Sequence, residues 1–188
     1  MNAFLKVGFF GYEMGDPTWF RNFFENVAEY VDAELDWGGR CPLLKKLFFN
    51  EAIMPEQLED LRKELALVQE VFSKMDVHEI YWSVINPDNH DELIRAECPY
   101  LDDMADDIIT LADFWRTSYE AESLFEVFNR AIDDACLNTE KLFVEYINIS
   151  DNEKQYAFID IRGQSVKLKD IESVVLELDE KYSIIFRR

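Results

Sequence analysis

The sequence predicts an α+β protein: a helical body with strands at the N-terminus, in the middle and in a C-terminal antiparallel hairpin or meander. Three observations lead there. Between residues 17 and 137 apolar side chains recur at offsets of three and four, the period of a half-buried helix. After Asn138 the repeat drops to two, the period of a strand. Clusters of Gly, Pro, Asn and Asp punctuate the segments between them.

Taken in order, "FLKVGFFGY" at residues 4–12 is a short apolar and aromatic run ended by glycine and reads as a largely buried strand. Asp16 is then a natural N-cap, with Pro17 at the first helical position, where its missing N–H costs nothing. Phe20, Phe23, Phe24, Val27, Ala28 and Val31 form the apolar stripe of that helix, and Arg21, Asn22, Glu25, Asn26 and Glu29 are expected to face water. "CPLLKKLFF" predicts one or two helical turns, with Leu43, Leu44, Leu47 and Phe48 inward. A clearer helix starts near Pro55 and aligns Leu58, Leu61, Leu65, Val68 and Phe72, with Glu59 and Lys63 at the spacing of an exposed ion pair.

"HEIYWSVI" reads as a middle strand ended by the turn-forming "NPDNHDE". From residue 101 onward "LDDMADDIITLADFW" predicts a helix, and a further helix over about 120–137 turns Leu124, Val127, Phe128, Ala131, Ile132 and Ala135 inward. "KLFVEYINI" and "QYAFIDIR" flank the polar "SDNEK" and predict a hairpin. "VVLEL-DE-KYSIIFR" reads as a second one, although Leu168, Ile171, Val174, Val175 and Leu178 would also suit a helix. The expected organisation is one α+β domain over residues 1–140 with a strand-rich segment, 141–188, packed on it.

Charge is the dominant feature of the composition. The 188 residues hold 39 acids against 19 bases, a net of -20. Residues 1–140 hold 30 acids and 11 bases, whereas 141–188 hold 9 and 8, so the excess belongs to the helical body. A field of this sign repels nucleic acid and anionic membranes, both of which need Lys and Arg against their phosphates. It attracts a basic partner. The acids crowd most tightly into residues 88–113, where Asp88, Asp91, Glu92, Glu97, Asp102, Asp103, Asp106, Asp107 and Asp113 face a single base, Arg95.

The N-terminal run lacks the basic-then-apolar layout of a secretory signal, and no apolar run of about eighteen residues occurs, so a cytoplasmic protein is expected. Cys41, Cys98 and Cys136 are too scattered for a disulfide framework or a metal knuckle and read as buried small hydrophobes. His78 and His90 belong to no metal-binding pattern, and neither a nucleophile elbow nor a phosphate-cradling glycine loop is present. No cofactor is expected.

"WGGRCP" follows a helix rather than a strand, so its glycines suit a helix stop and corner in which Gly38 or Gly39 takes the left-handed conformation. Trp37 would pack back on the core, with Arg40 beside it and Pro42 opening the next turn. On a helix, Asp102 with Asp106 and Asp103 with Asp107 would stand side by side. Such a cluster has three readings: a solvated face, a protein-binding patch, or a site for Mg²⁺ or Ca²⁺ serving a metal-dependent hydrolase.

"GFFGYEMGDPTWFRNFFENVA", "WGGRCPLLKKLF", "EIYWSVI" and "IITLADFWRTSYEAESLFEVF", in that order over residues 5–135, resemble the immunity protein 70 family of bacterial polymorphic-toxin systems. The corner departs from the family's Trp-Gly-Ser-Arg-Phe-Pro pattern at Gly39 and Cys41. The resemblance implies a protein that protects its cell by binding a cognate toxin domain, with no catalytic residue. The acidic surface fits that role, since it would steer a basic toxin, such as a nuclease built to hold phosphates, into contact. The expected contacts are Asp88, Glu92, Asp102, Asp103, Asp106 and Asp107; a general acidic adaptor or DNA mimic is the other non-enzymatic reading.

Overall fold

The computed structural model describes residues 2–32, 37–102, 104–116 and 122–147, together with the backbone at 158–159 and 165–166. The chain divides into two compact units, Met1–Ile147 and Asn148–Arg188. The first is an α+β domain. Strands β1 (Asn2–Val7) and β2 (Phe10–Gly15) precede helix α1 (Pro17–Tyr30), α2 (Pro42–Phe48) and α3 (Leu58–Phe72). A second pair of strands, β3 (Ser83–Asn86) and β4 (Asn89–Arg95), is followed by the single turn α4 (Leu111–Phe114), helix α5 (Leu124–Asn138) and β5 (Leu142–Ile147). In the second unit β6 (Phe158–Ile159) pairs antiparallel with β7 (Ser165–Val166).

The main sheet has the order β2-β1-β5, antiparallel throughout. Its central strand alternates cleanly: Ala3, Leu5 and Val7 are buried, while Asn2, Phe4 and Lys6 reach the half-exposed face. The buried face is covered by helix α5. Phe23 of α1 sits at the centre of the helical layer, its ring 6.2 Å from Phe72 of α3 and 5.8 Å from Phe125 of α5. Edge-to-face pairs of this kind add about 0.5–1.5 kcal/mol beyond the area they bury.

The helices follow their apolar stripes. Asp16 caps α1 by accepting from Thr18 N at 2.7 Å, with Pro17 behind it. Leu43, Leu44 and Leu47 of α2, Leu58, Leu61, Leu65, Val68 and Phe72 of α3, and the six expected residues of α5 are all buried.

Elsewhere the fold departs from the expectations. The N-terminal "strand" is a hairpin, because Gly8 at φ +54° lets the chain reverse before Phe10. Asn22 and Asn26 of α1 are buried rather than solvated, and Lys63 pairs with Asp60 at 2.7 Å rather than with Glu59. "HEIYWSVI" opens with a 3-10 turn at Val77–Glu79 and only then becomes β3. The turn-forming "NPDNHDE" gives way at Asn89 to β4, which runs on to Arg95. Of the helix expected from residue 101, only Leu111–Phe114 is helical among the described residues. Turns carry residues 101–102 and 104–109 instead, anchored where Val77 N donates to Ile109 O at 3.0 Å and Leu111 N to Met75 O at 3.1 Å.

β5 pairs with β1 at the N-terminus, from Asn2↔Ile147 to Val7↔Leu142, and apart from Phe158–Ile159 the strand expected opposite it over residues 155–162 lies outside the described residues. The strands expected at "VVLEL" and "KYSIIFR" lie outside the described residues.

Candidate functional site

Helix α1 and the β3–β4 hairpin are joined by side chains rather than by a sheet. The carboxamide of Asn22 accepts from Ser83 N at 2.7 Å and donates to Ser83 O at 3.1 Å. One turn later Asn26 accepts from Tyr81 N at 2.9 Å and donates to Tyr81 O at 2.7 Å. Residues four apart on a helix are about 6 Å apart, close to the spacing of alternate residues on a strand, so two carboxamides can stand in for a neighbouring strand. Arg21 adds a bond to Ser83 O at 2.8 Å, and Glu25 accepts from Ser83 Oγ at 2.7 Å.

On its other side β3 pairs with β4, Val84 opposite Ile94 and Ile85 opposite Leu93. The tip is set by Asn86, whose carboxamide accepts from Asp88 N at 3.0 Å and donates to Glu92 at 2.9 Å. Asp88 and Glu92 are thus exposed at one end of a braced hairpin. Their carboxylates belong to the same small element.

The remaining expected contacts are arranged differently. Asp102 and Asp106 are exposed in the turns at 101–102 and 104–109, and Asp107 lies 3.8 Å from Arg116 in a half-exposed ion pair. Asp103 lies outside the described residues. With no helix here, the side-by-side carboxylate pairs expected of a metal site do not form through helical spacing. Among the described residues no group of three or more His, Cys, Asp or Glu side chains could hold a metal ion. Asp113 is held by the cap of α4. Its hydrogen bond from the Thr110 hydroxyl, within the cap of α4, holds its carboxyl below the usual range.

The Trp37 corner is built on two buried carboxylates. Asp32 accepts from Gly38 N at 2.8 Å and Arg40 N at 2.7 Å. Glu64 of α3 accepts from Leu43 N at 3.0 Å and Leu44 N at 2.9 Å, capping α2 just behind Pro42. Gly38, at φ +89°, is the left-handed residue; Gly39 is not. Trp37 packs edge-on against Phe48 with ring centroids 4.6 Å apart, while Arg40 is exposed.

Burial pushes the Glu64 carboxyl above its usual range despite its backbone donors, and pushes the Cys41 thiol between these two acids up to about 12. A cleft of about 300 Å³ opens beside the corner, between Glu25, Ala28 and Glu29 of α1, Trp37, Phe48 and Tyr81. Sequence reasoning found the glycine stop and missed Asn22, Asn26, Asp32 and Glu64. The signal was a polar residue on the buried flank of an apolar stripe.

Fold and surface together define an acidic α+β domain whose most exposed irregular segments carry carboxylates. No helix among the described residues is long and apolar enough to cross a membrane. The model of the immunity protein 70 family matches residues 5–144, and the chain belongs to that family. The family is one of immunity proteins of toxin systems, and membership implies an inhibitory role with a cognate toxin protein as the partner. No curated protein and no solved structure matches it.

Proposed function

We propose that this protein neutralises a basic toxin domain, of the kind a nuclease needs to hold phosphates, in the cytoplasm of its own cell. The contacts are Asp88 and Glu92 on the hairpin, Asp102, Asp106 and Asp107 on the following turns, and Asp103 in the same stretch of sequence. The observation that carries this reading is the placement of the charge excess: nine acids and one base in residues 88–113. A rim of like charges is costly to maintain unless a cationic surface uses it, and complementary rims act mainly on the rate of association. Membership of an immunity family supplies the kind of partner.

The test is the association rate of the full chain with the toxin domain encoded beside its gene, measured across a range of salt. Replacing the six acids by Asn or Gln slows association by about tenfold or more at low salt and flattens its salt dependence. An unchanged rate and an unchanged salt slope would overturn this surface.

A further inference from the structure

The β3–β4 hairpin has two outer edges, and among the described residues only one is occupied. Ala96 N donates to Trp82 O at 2.9 Å, which fixes the alternation of the ladder. Residues 82 and 84 exchange bonds with 96 and 94, so the backbone of Tyr81 and Ser83 points away from β4, to Asn26 and Asn22. By the same alternation the N–H and C=O of Leu93 and Arg95 point away from β3. Among the described residues β4 pairs with β3 alone, and residues 92–95 are exposed.

Three features make this open edge more than an accident of a short sheet. Ile85 and Leu93 stand directly opposite each other and are 51% and 44% exposed, an apolar cross-strand pair with nothing over it among the described residues. Tyr81, Ser83 and Ile85 share that face by strand alternation, and Arg95 places its guanidinium over the Tyr81 ring at 5.2 Å, so the face runs on to the cleft beside Trp37. Around it Asp88, Glu92 and Glu97 are exposed acids. An exposed edge normally risks pairing with a second copy of the chain. Here a second copy would set these acids, and a net charge of -20, against their own image.

We infer that the outer edge of β4 receives an extended, basic segment of the toxin domain as an added strand. The inference rests on the neutralising role proposed above and names its geometry. The incoming strand exchanges main-chain hydrogen bonds with Leu93 and Arg95. It places an apolar side chain beside Leu93 and Ile85, and brings Lys or Arg within reach of Asp88, Glu92 and Glu97. Main-chain bonds of this kind give affinity, and alternate side chains give selectivity.

Amide hydrogen exchange of the full chain, free and bound to the toxin domain encoded beside its gene, reads this directly. In the free protein the Leu93 and Arg95 amides exchange fast and the inward-pointing Ile94 and Ala96 amides slowly. In the complex the outward pair slows by about a hundredfold, to the level of the inward pair. The exposed-face variants Ile85→Thr and Leu93→Thr, which put β-branched side chains of good strand propensity at both positions, weaken binding by about tenfold. If the complex forms at full affinity while the outward amides stay fast, the edge is not the dock, although the neutralising role stands. If no complex forms, the neutralising role fails first and this inference with it. Protection of the outward amides that rises with concentration in the free protein would assign the edge to a second copy and overturn the inference.

Discussion

Asn22 and Ser83 exchange two hydrogen bonds across the boundary between helix and hairpin, and both residues are fully buried. A side-chain amide has both the donor and the acceptor of a peptide group, so a helix can close a strand's edge without becoming a strand. The consequence is directional. Among the described residues α1 occupies one edge of the β3–β4 hairpin, and the other, that of β4, is the edge to which we assign the partner.

Replacing Asn22 by Leu keeps the volume and removes both bonds. Ser83 O retains Arg21, 2.8 Å away, but Ser83 N–H is left buried without an acceptor. An orphaned buried donor costs about 1–3 kcal/mol, and urea unfolding should show a loss of that size. The Ser83 amide should also exchange faster while amides in the β2-β1-β5 sheet do not. A change under about 0.5 kcal/mol would mean that water replaces the carboxamide and that the pairing carries little of the fold.

Gly38 and Gly39 are adjacent yet should respond oppositely to alanine. At φ +89° a Cβ on Gly38 is strained, and it would fall 2.5 Å from Cδ of Lys45, whose ammonium is held by Trp37 O at 2.7 Å. Gly38→Ala should therefore cost about 1–2 kcal/mol or more. Gly39, outside the left-handed region, should tolerate Ala within about 0.5 kcal/mol. Thermal melting of the two variants side by side checks this, and equal melting temperatures would contradict the corner's geometry.

What the sequence made legible follows from where the apolar residues lie. The stripes of α1, α3 and α5 are long and regular, so one period dominates and burial follows it. Asn22 and Asn26 were misplaced because periodicity assigns polar residues to water, and only the fold brings Tyr81 and Ser83 close enough to pair with them. "NHDELIR" carries no legible strand signal because four of its seven residues are charged or amide, and its strand state depends on pairing with β3. The turns at residues 101–102 and 104–109 defeated the helical reading for a related reason: tertiary bonds from Val77 and Leu111 hold them, and the four Asp residues gain nothing from a helix that would stack like charges. Of the candidate contacts, the acids' exposure was legible, whereas the hairpin that presents Asp88 and Glu92 was not.

Glu64 gives stability an unusual pH dependence. Burial raises its folded-state titration above the unfolded value, so the folded protein binds this proton more tightly than the unfolded chain. Stability from Glu64 is then greatest below the ordinary carboxyl range near 4.3 and declines as pH rises through the folded value. Asp113, with its titration lowered, runs the other way and loses its contribution as pH falls. Comparing wild type with Glu64→Gln cancels the other acids: the difference in unfolding free energy should shift against the wild type as pH rises above the ordinary carboxyl range. A pH-independent difference would mean that Glu64 titrates alike in the folded and unfolded states, its backbone donors Leu43 N and Leu44 N offsetting the effect of burial.

The three thiols should separate by chemistry. The sequence suggested that all three are buried, but Cys136, on the last turn of α5, is exposed, while Cys41 and Cys98 are buried. Cys41 is also pushed up to about 12, first by burial and then by Asp32 and Glu64. At pH 8 about one Cys41 in ten thousand is thiolate, the only form that attacks an alkylating reagent at a useful rate. Iodoacetamide under native conditions should therefore modify Cys136 first, with Cys41 and Cys98 following only as the domain opens; mass spectrometry of timed samples resolves the order. Because Cys41 precedes Pro42 in the corner braced by Asp32 and Glu64, its labelling rate also reports how often that corner opens. Gly38→Ala should raise the rate for Cys41 several-fold and leave Cys136 unchanged. Equal labelling of Cys41 and Cys136 in the wild type would mean that the corner is open much of the time, against the packing of Trp37 on Phe48.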